Sequence, residues 1–258
     1  MVLTTGTTRA SRRRDGADAL DDPVVRVSVR GVGRGLVLIG VALAAAHLVV
    51  HTLAALGVIT YEGRVISAFD MDDEVSIPTW FNMILLAGVA LGAAAVAMAT
   101  RMPRARRGWA VLAIVFAYLS LDEGAALHES LMYATRNVFG ITGGPLWYAW
   151  VIPVGIALVA ASPFAIRFLA ALPRRVRTLF IVAGVLYVGG ALGIEVVSAT
   201  AGAEVESLLR DENDPVVWLL ACFEESLEIA GLVVVSIAVL IHLRDHALAG
   251  RALAVRLR

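Results

Sequence analysis

Carboxylates and imidazoles stand inside stretches of this sequence that are otherwise apolar. Asp122, Glu123, His128 and Glu129 share one such stretch, Glu195 lies in a second, Glu224, Glu225 and Glu228 in a third, and His47 and His51 in a fourth. These residue types hold divalent transition metals when separate helices of a bundle bring them together. They also move protons as general acids and bases. A charged side chain at the centre of a bilayer costs about 2.5–3.5 kcal/mol on insertion scales, so each is a functional candidate by default. Like charges gathered in a low dielectric cannot all stay ionised. Neither Lys nor Arg lies in the outer halves of these stretches, which leaves shared protons, water or bound cations to compensate. A divalent ion or pair of ions is the economical answer.

Spacing refines the set. Asp122 and Glu129 are seven apart, and Glu224 and Glu228, like His47 and His51, are four apart, so on a helix each pair projects from one face. The expected metal ligands are therefore Asp122, Glu129, Glu195, Glu224 and Glu228, with His128 and His51 next to them. Glu123 and Glu225 sit about 100° round their helices from these neighbours, which suits them to carry the proton. The Glu-x-x-His pattern of ferritin-like di-iron helices is absent: the third stretch offers Glu225-x-x-Glu228, and His128 is followed directly by Glu129. Iron, zinc and manganese are not distinguished. Cys222 and Ser198 have no activating base in view, and no organic cofactor is expected.

The elements that must position these groups are membrane spans. The chain is 59% apolar with a mean hydropathy of +0.79, well above the roughly 45–50% apolar share of soluble domains. Runs long enough to cross a bilayer, about 20 residues each, are read at 35–57, 81–100, 109–132, 146–170, 178–200 and 216–242. The predicted fold is all-α, a bundle of six transmembrane helices. It divides into a disordered Arg-rich tail at 1–33, the six-helix domain at 34–243 and a basic tail at 244–258.

The net charge is zero, yet arginines and acids sort into alternate loops. Arg101, Arg104, Arg106 and Arg107, then Arg174, Arg175 and Arg177, share a side with both tails, while the other loops carry only Arg64, Arg136 and Arg210. The positive-inside rule then predicts a multipass protein of the cell membrane with both termini cytoplasmic. Trp80, Trp147, Trp150 and Trp218 fall at the outer interface of that topology. Counting about 1.5 Å per residue from the cytoplasmic ends puts His47 and Asp122 roughly 20 Å deep, and Glu224, Glu228 and Glu195 in the same outer half. The acidic outer segment 58–80, VITYEGRVISAFDMDDEVSIPTW, is a candidate lid, and Pro78 marks a start for span two.

No glycine-rich phosphate loop, zinc-knuckle spacing or basic nucleic-acid surface occurs, and a lone Cys222 excludes an internal disulfide. FDMDDEVSIPTWF, LSLDEGAALHE and FEESLEIAG together resemble an uncharacterised family of bacterial multipass membrane proteins. That resemblance implies that Asp72, Glu74, Asp122, Glu123, His128, Glu129, Glu224, Glu225 and Glu228 belong to one functional set, and it implies no activity. The intramembrane zinc hydrolases of the ceramidase and adiponectin-receptor type are similar in architecture, but their three-histidine, serine and aspartate pattern is not reproduced.

The leading expectation is an intramembrane metal-dependent enzyme, of hydrolytic or redox chemistry, acting on a membrane lipid or other apolar small molecule from the extracytoplasmic side. A cation or proton-coupled transporter using the same carboxylates is the main alternative, and a structural subunit of a membrane complex is the next.

Overall fold

The computed structural model describes residues 28–141, 149–194 and 214–247, which are helical with no strand among them. Six helices are long and apolar enough to cross a membrane: α1 (Val29–Ala55), α3 (Ile77–Ala99), α4 (Pro103–Ala125), α6 (Val151–Ala171), α7 (Arg174–Val188) and α8 (Pro215–His242). Between them lie two short helices, α2 (Arg64–Phe69) and α5 (Leu127–Phe139), and single π-helical turns extend α7 over Gly189–Ile194 and α8 over Leu243–Ala247. The expected tails fall largely at 1–27 and 248–258, outside the described residues.

Local chemistry sets the helix starts. Ser28 accepts a hydrogen bond from the Gly31 amide and begins α1 inside the stretch read as tail. Ser76 caps α3 through the Thr79 amide, with Pro78 in its first turn, and Asp214 caps α8 through the Val216 amide, with Pro215 at its first position. Pro103 opens α4 in the same way.

One expected span is divided. The stretch 109–132 does not run as a single helix, because Ala126 adopts a left-handed conformation (φ 48°) that ends α4 and starts α5. A non-glycine residue rarely takes that conformation. The helical phase between Asp122 and Glu129 is lost at this break, so their seven-residue spacing does not place them on one face. Helix α5 begins anew after this break.

The bundle is built on α8, which packs on α7, α1 and α3, while α4 lies along α3. Close approach is bought by small residues, as expected where lipid is as apolar as the side chains. A Cβ on Gly231 would come within 2.9 Å of the Ala183 carbonyl and the Tyr187 backbone, and one on Gly190 within 2.9 Å of the Glu224 carbonyl. A Cβ on Gly189 or Gly193 would meet nothing within 4 Å. Helix α6 touches the rest only lightly, at α4 and α7, and buries none of its residues.

The two ends differ in kind. Around the arginine-rich end, Trp109 is packed between the rings of Phe168, Phe180 and His242 at 4.6 to 5.9 Å. Val89, Ala93 and Val96 of α3 meet Leu232, Val235 and Val239 of α8 in the buried core beside it. Arg30 and Arg34 of α1, Arg175 of α7 and Arg244 after α8 line one cleft, so the described chain enters and leaves the bundle at the same end. The acids of α4 and α8, with His47 and His51 of α1, lie toward the opposite end.

Gly231→Ala is expected to destabilise the protein by about 1–3 kcal/mol, because the added methyl meets backbone that cannot yield. Gly184→Ala, with open space at its Cβ, is expected to have no such cost. Thermal unfolding of the two purified variants in detergent measures the difference.

Candidate functional site

Two groups of polar side chains form at the acidic end, and the segment between α2 and α3 reaches both. The first is built on α1, where His47 and His51, one helical turn apart, point at Asp70, the residue that ends α2. His47 Nδ1 is 3.3 Å from Asp70 Oδ1, and His51 Nε2 is 3.3 Å from Asp70 Oδ2. The Met71 amide donates to His47 Nδ1 at 3.0 Å, and His47 Nε2–H donates to the Trp218 carbonyl of α8 at 2.9 Å. That pattern fixes the neutral tautomer with the proton on Nε2. His51 stacks on the Trp218 ring at 5.5 Å and is only 2% exposed, yet neither of its ring nitrogens has a hydrogen-bond partner. Burial works to raise the Asp70 carboxyl, but the two imidazoles beside it and the Asp72 amide outweigh it and hold the group well below the usual carboxylate range.

The second group joins α3, α4, α7 and α8. Asn82, 1% exposed in the middle of an apolar helix face, donates from Nδ2 to Glu225 Oε2 at 3.1 Å and also approaches Glu123. Glu225 lies in the field of Glu228, Glu123, Asp72 and Glu224, and Tyr187 of α7 in that of Glu228, Glu123, Glu225 and Asp122. Glu228 is buried at 8% exposure beside Gly190, whose missing side chain gives it room. Asp122 pairs with His128 (Oδ2 to Nδ1, 3.4 Å), and the other imidazole nitrogen is 3.6 Å from Glu74 Oε1. The Trp150 ring lies 5.5 Å from the same imidazole. Two buried oxygens of this group, Asp122 Oδ1 and Asn82 Oδ1, have no hydrogen-bond partner.

The structure thus brings together Asp122, Glu123, His128, Glu224, Glu225 and Glu228. His51 stands apart from them, in the group with His47 and Asp70. Glu195 lies outside the described residues, and of Glu129 only the backbone, in α5, is described. Among the described residues, the three-residue set whose candidate ligand atoms all fall within 4.8 Å of one another is His47, His51 and Asp70. The acids of the second group are not gathered to that distance in threes.

Sequence reasoning passed over three contributors. Asn82 looks like an ordinary polar residue in an apolar span, although a buried carboxamide always needs partners. Tyr187 carries the only hydroxyl in its part of α7, and Asp70 stood in the acidic segment read as a candidate lid. The signal for Asp70 was the His-x-x-x-His pair, which calls for an acid from elsewhere in the chain.

His128 lies beyond the end of the α4 span, and its pairing with Asp122 raises its pKa above 6.5; burial opposes this, and the charges of Asp122, Glu74 and Glu123 add to it. Its stabilising contribution is complete below 6.5 and fades as pH rises through the raised value. Asp122→Asn should lower the His128 pKa, as followed by NMR of histidine-labelled protein. An unchanged titration would mean that the pair does not form.

Neither the curated proteins nor the solved structures contain a match to this chain. Residues 35–243 do match a family described as a domain of unknown function (DUF8692), which takes in all six apolar helices and both polar groups, and the chain belongs to that family.

Proposed function

We propose that this protein is an intramembrane metal-dependent enzyme that acts on a lipid or other apolar small molecule at the carboxylate and histidine site of its acidic end. The observation that carries the reading is the meeting of Asp122 and Glu123 from α4 with Glu225 and Glu228 from α8 around Asn82 and Tyr187, where two buried acceptor oxygens are left without a donor. Such a site binds protons or cations in the absence of substrate. Glu225 and Glu123, bridged by Asn82, are the proton carriers, and the Asp122–His128 pair supplies a second acid. A divalent transition metal adds Lewis acidity.

A carrier reading of the same acids has less support. A conduction path needs polar or small side chains across the full depth of the membrane, and the half of the bundle toward the arginine-rich end is closed by Val89, Ala93, Val96, Leu232, Val235 and Val239. One-sided access suits chemistry on a substrate that enters and leaves by the same face.

The positive-inside rule places the arginine-rich end and both termini in the cytoplasm of a cell membrane, so the site opens outward. In a Cys222→Ala background, a cysteine at Val75 (85% exposed) should react with a membrane-impermeant maleimide in intact cells. One at Met102 (74% exposed) should react only after lysis. The opposite pattern would invert the orientation.

Purified protein in vesicles of mixed phospholipids and sphingolipids, followed by mass spectrometry of the lipids, tests the activity. Turnover that falls about 10²-fold or more in Glu225→Gln and Asp122→Asn, with unchanged thermal stability, is the expected result. Ion uptake into the vesicles without lipid turnover would replace the enzyme with a carrier.

A further inference from the structure

We propose that His47, His51 and Asp70 form a binding site for one divalent transition-metal ion of the zinc or iron(II) class, which fastens the outer segment to the bundle. It names a seat for the metal in the enzymatic reading and rests on that reading only for the ion's use; occupancy of the site is a separate question with its own test.

One candidate ligand atom from each of the three residues lies within 4.8 Å of the others. With metal–ligand bonds of roughly 2.0–2.1 Å, neighbouring ligands of a tetrahedral ion stand about 3.3 Å apart. The His47 Nδ1–Asp70 Oδ1 and His51 Nε2–Asp70 Oδ2 distances are both 3.3 Å. The imidazole centroids are 4.4 Å apart with the rings tilted by 44°, so two ring edges converge on one carboxylate without stacking. Two imidazoles and one carboxylate leave at least one position open on either metal.

The protonation pattern fits as well. A ligating histidine usually donates its other ring N–H to a carbonyl or carboxylate, which orients the ring and leaves the lone pair on the metal side. His47 does this through Nε2–H to the Trp218 carbonyl, with an unprotonated Nδ1 facing Asp70. An ion at Nδ1 would displace the Met71 amide from that lone pair.

His51 is the independent indicator. Inside the protein a polar nitrogen without a hydrogen bond costs about 1–3 kcal/mol, and at 2% exposure neither ring nitrogen of His51 has one, Nε2 meeting only the Asp70 carboxylate. Its Nε2 stands 3.3 Å from Asp70 Oδ2 without the alignment of a hydrogen bond. A metal ion satisfies Nε2 without requiring that alignment. Asp70 closes the triad from the far side of a loop, so binding ties residues 56–76 down over α1 and beside the acids.

The test uses the full-length protein in detergent, stripped with a chelator and titrated with Co²⁺. One ion should bind per chain, seen by metal analysis after dialysis. It should quench tryptophan fluorescence mainly at Trp218, whose ring lies 5.5 Å from His51. His51→Gln and Asp70→Asn should weaken binding about tenfold or more, while Glu225→Gln leaves it unchanged. Trp218→Phe alters no ligand and keeps the carbonyl that holds His47. It should bind Co²⁺ as the wild type does and lose most of the quenching, which locates the ion even if a ligand variant fails to fold. No binding, equal quenching in Trp218→Phe, or unchanged affinity in folded His51→Gln and Asp70→Asn would each overturn the site. Loss of binding in Glu225→Gln alone would also overturn it, by moving the metal to the acids, and would leave the enzymatic reading standing.

Discussion

Ionised groups taken out of water must be neutralised by something within reach, and the arrangement of the acidic end follows from that requirement. Withdrawing a carboxylate from solvent costs several kcal/mol even after relaxation, more than one helix can recover from its own side chains. Asp122 finds His128, Glu225 finds Asn82 and Asp70 finds two imidazoles, and each of these partners comes from a different element. The helices that carry the acids are therefore held to one another by the need of their charges for company, at the end where apolar packing is thinnest. At the other end, the ring cluster around Trp109 and the apolar contacts of α3 with α8 do the same task without charge.

The stretch from Asp70 to Glu74 joins the two polar groups. Asp70 turns to His47 and His51, the Met71 amide bonds the same His47 while its side chain is buried in the core, Asp72 enters the field of Glu225, and Glu74 reaches His128. A segment with so many acids would be expected to stay in solvent if solubility were its only purpose. Here its alternate residues are drawn onto different helices. Asp73 secures it locally, by accepting from the Val75 amide and from Ser67, and its carbonyl accepts from Thr79 of α3. Movement at either polar group would then be felt at the other through a few bonds of backbone.

Much of this was legible in the sequence, and the reason is physical. Hydropathy, proline starts and alternating arginines report the free energy of placing each segment in lipid, a local quantity that composition carries directly. Depth counting set His47, Asp122, Glu195, Glu224 and Glu228 in one half of the bundle because a straight helix converts residue number into height. It failed to order His51 because two side chains at similar depth can face different neighbours, and the choice depends on the rotation of α1 against α8. Nothing in Gly124, Ala125 and Ala126 announces a left-handed residue, so the periodicity that linked Asp122 to Glu129 was followed past the point where it ends. Asn82 and Tyr187 were missed because each is unremarkable alone. Their role appears only once a carboxylate from another helix stands beside them.

The break at Ala126 also accounts for how a histidine so close in sequence can serve Asp122. Six residues further along one continuous α-helix, His128 would stand about 9 Å higher and some 240° round the axis, far from the carboxylate it now meets at 3.4 Å. The left-handed residue breaks the helix and lets the imidazole meet Asp122 while its other nitrogen faces Glu74. A non-glycine residue in that conformation costs roughly 1–3 kcal/mol and persists only where the surroundings over-determine it. The two contacts of His128 are such surroundings. The strain is then the cost of placing a titratable ring between Asp122 of the bundle and Glu74 of the outer segment.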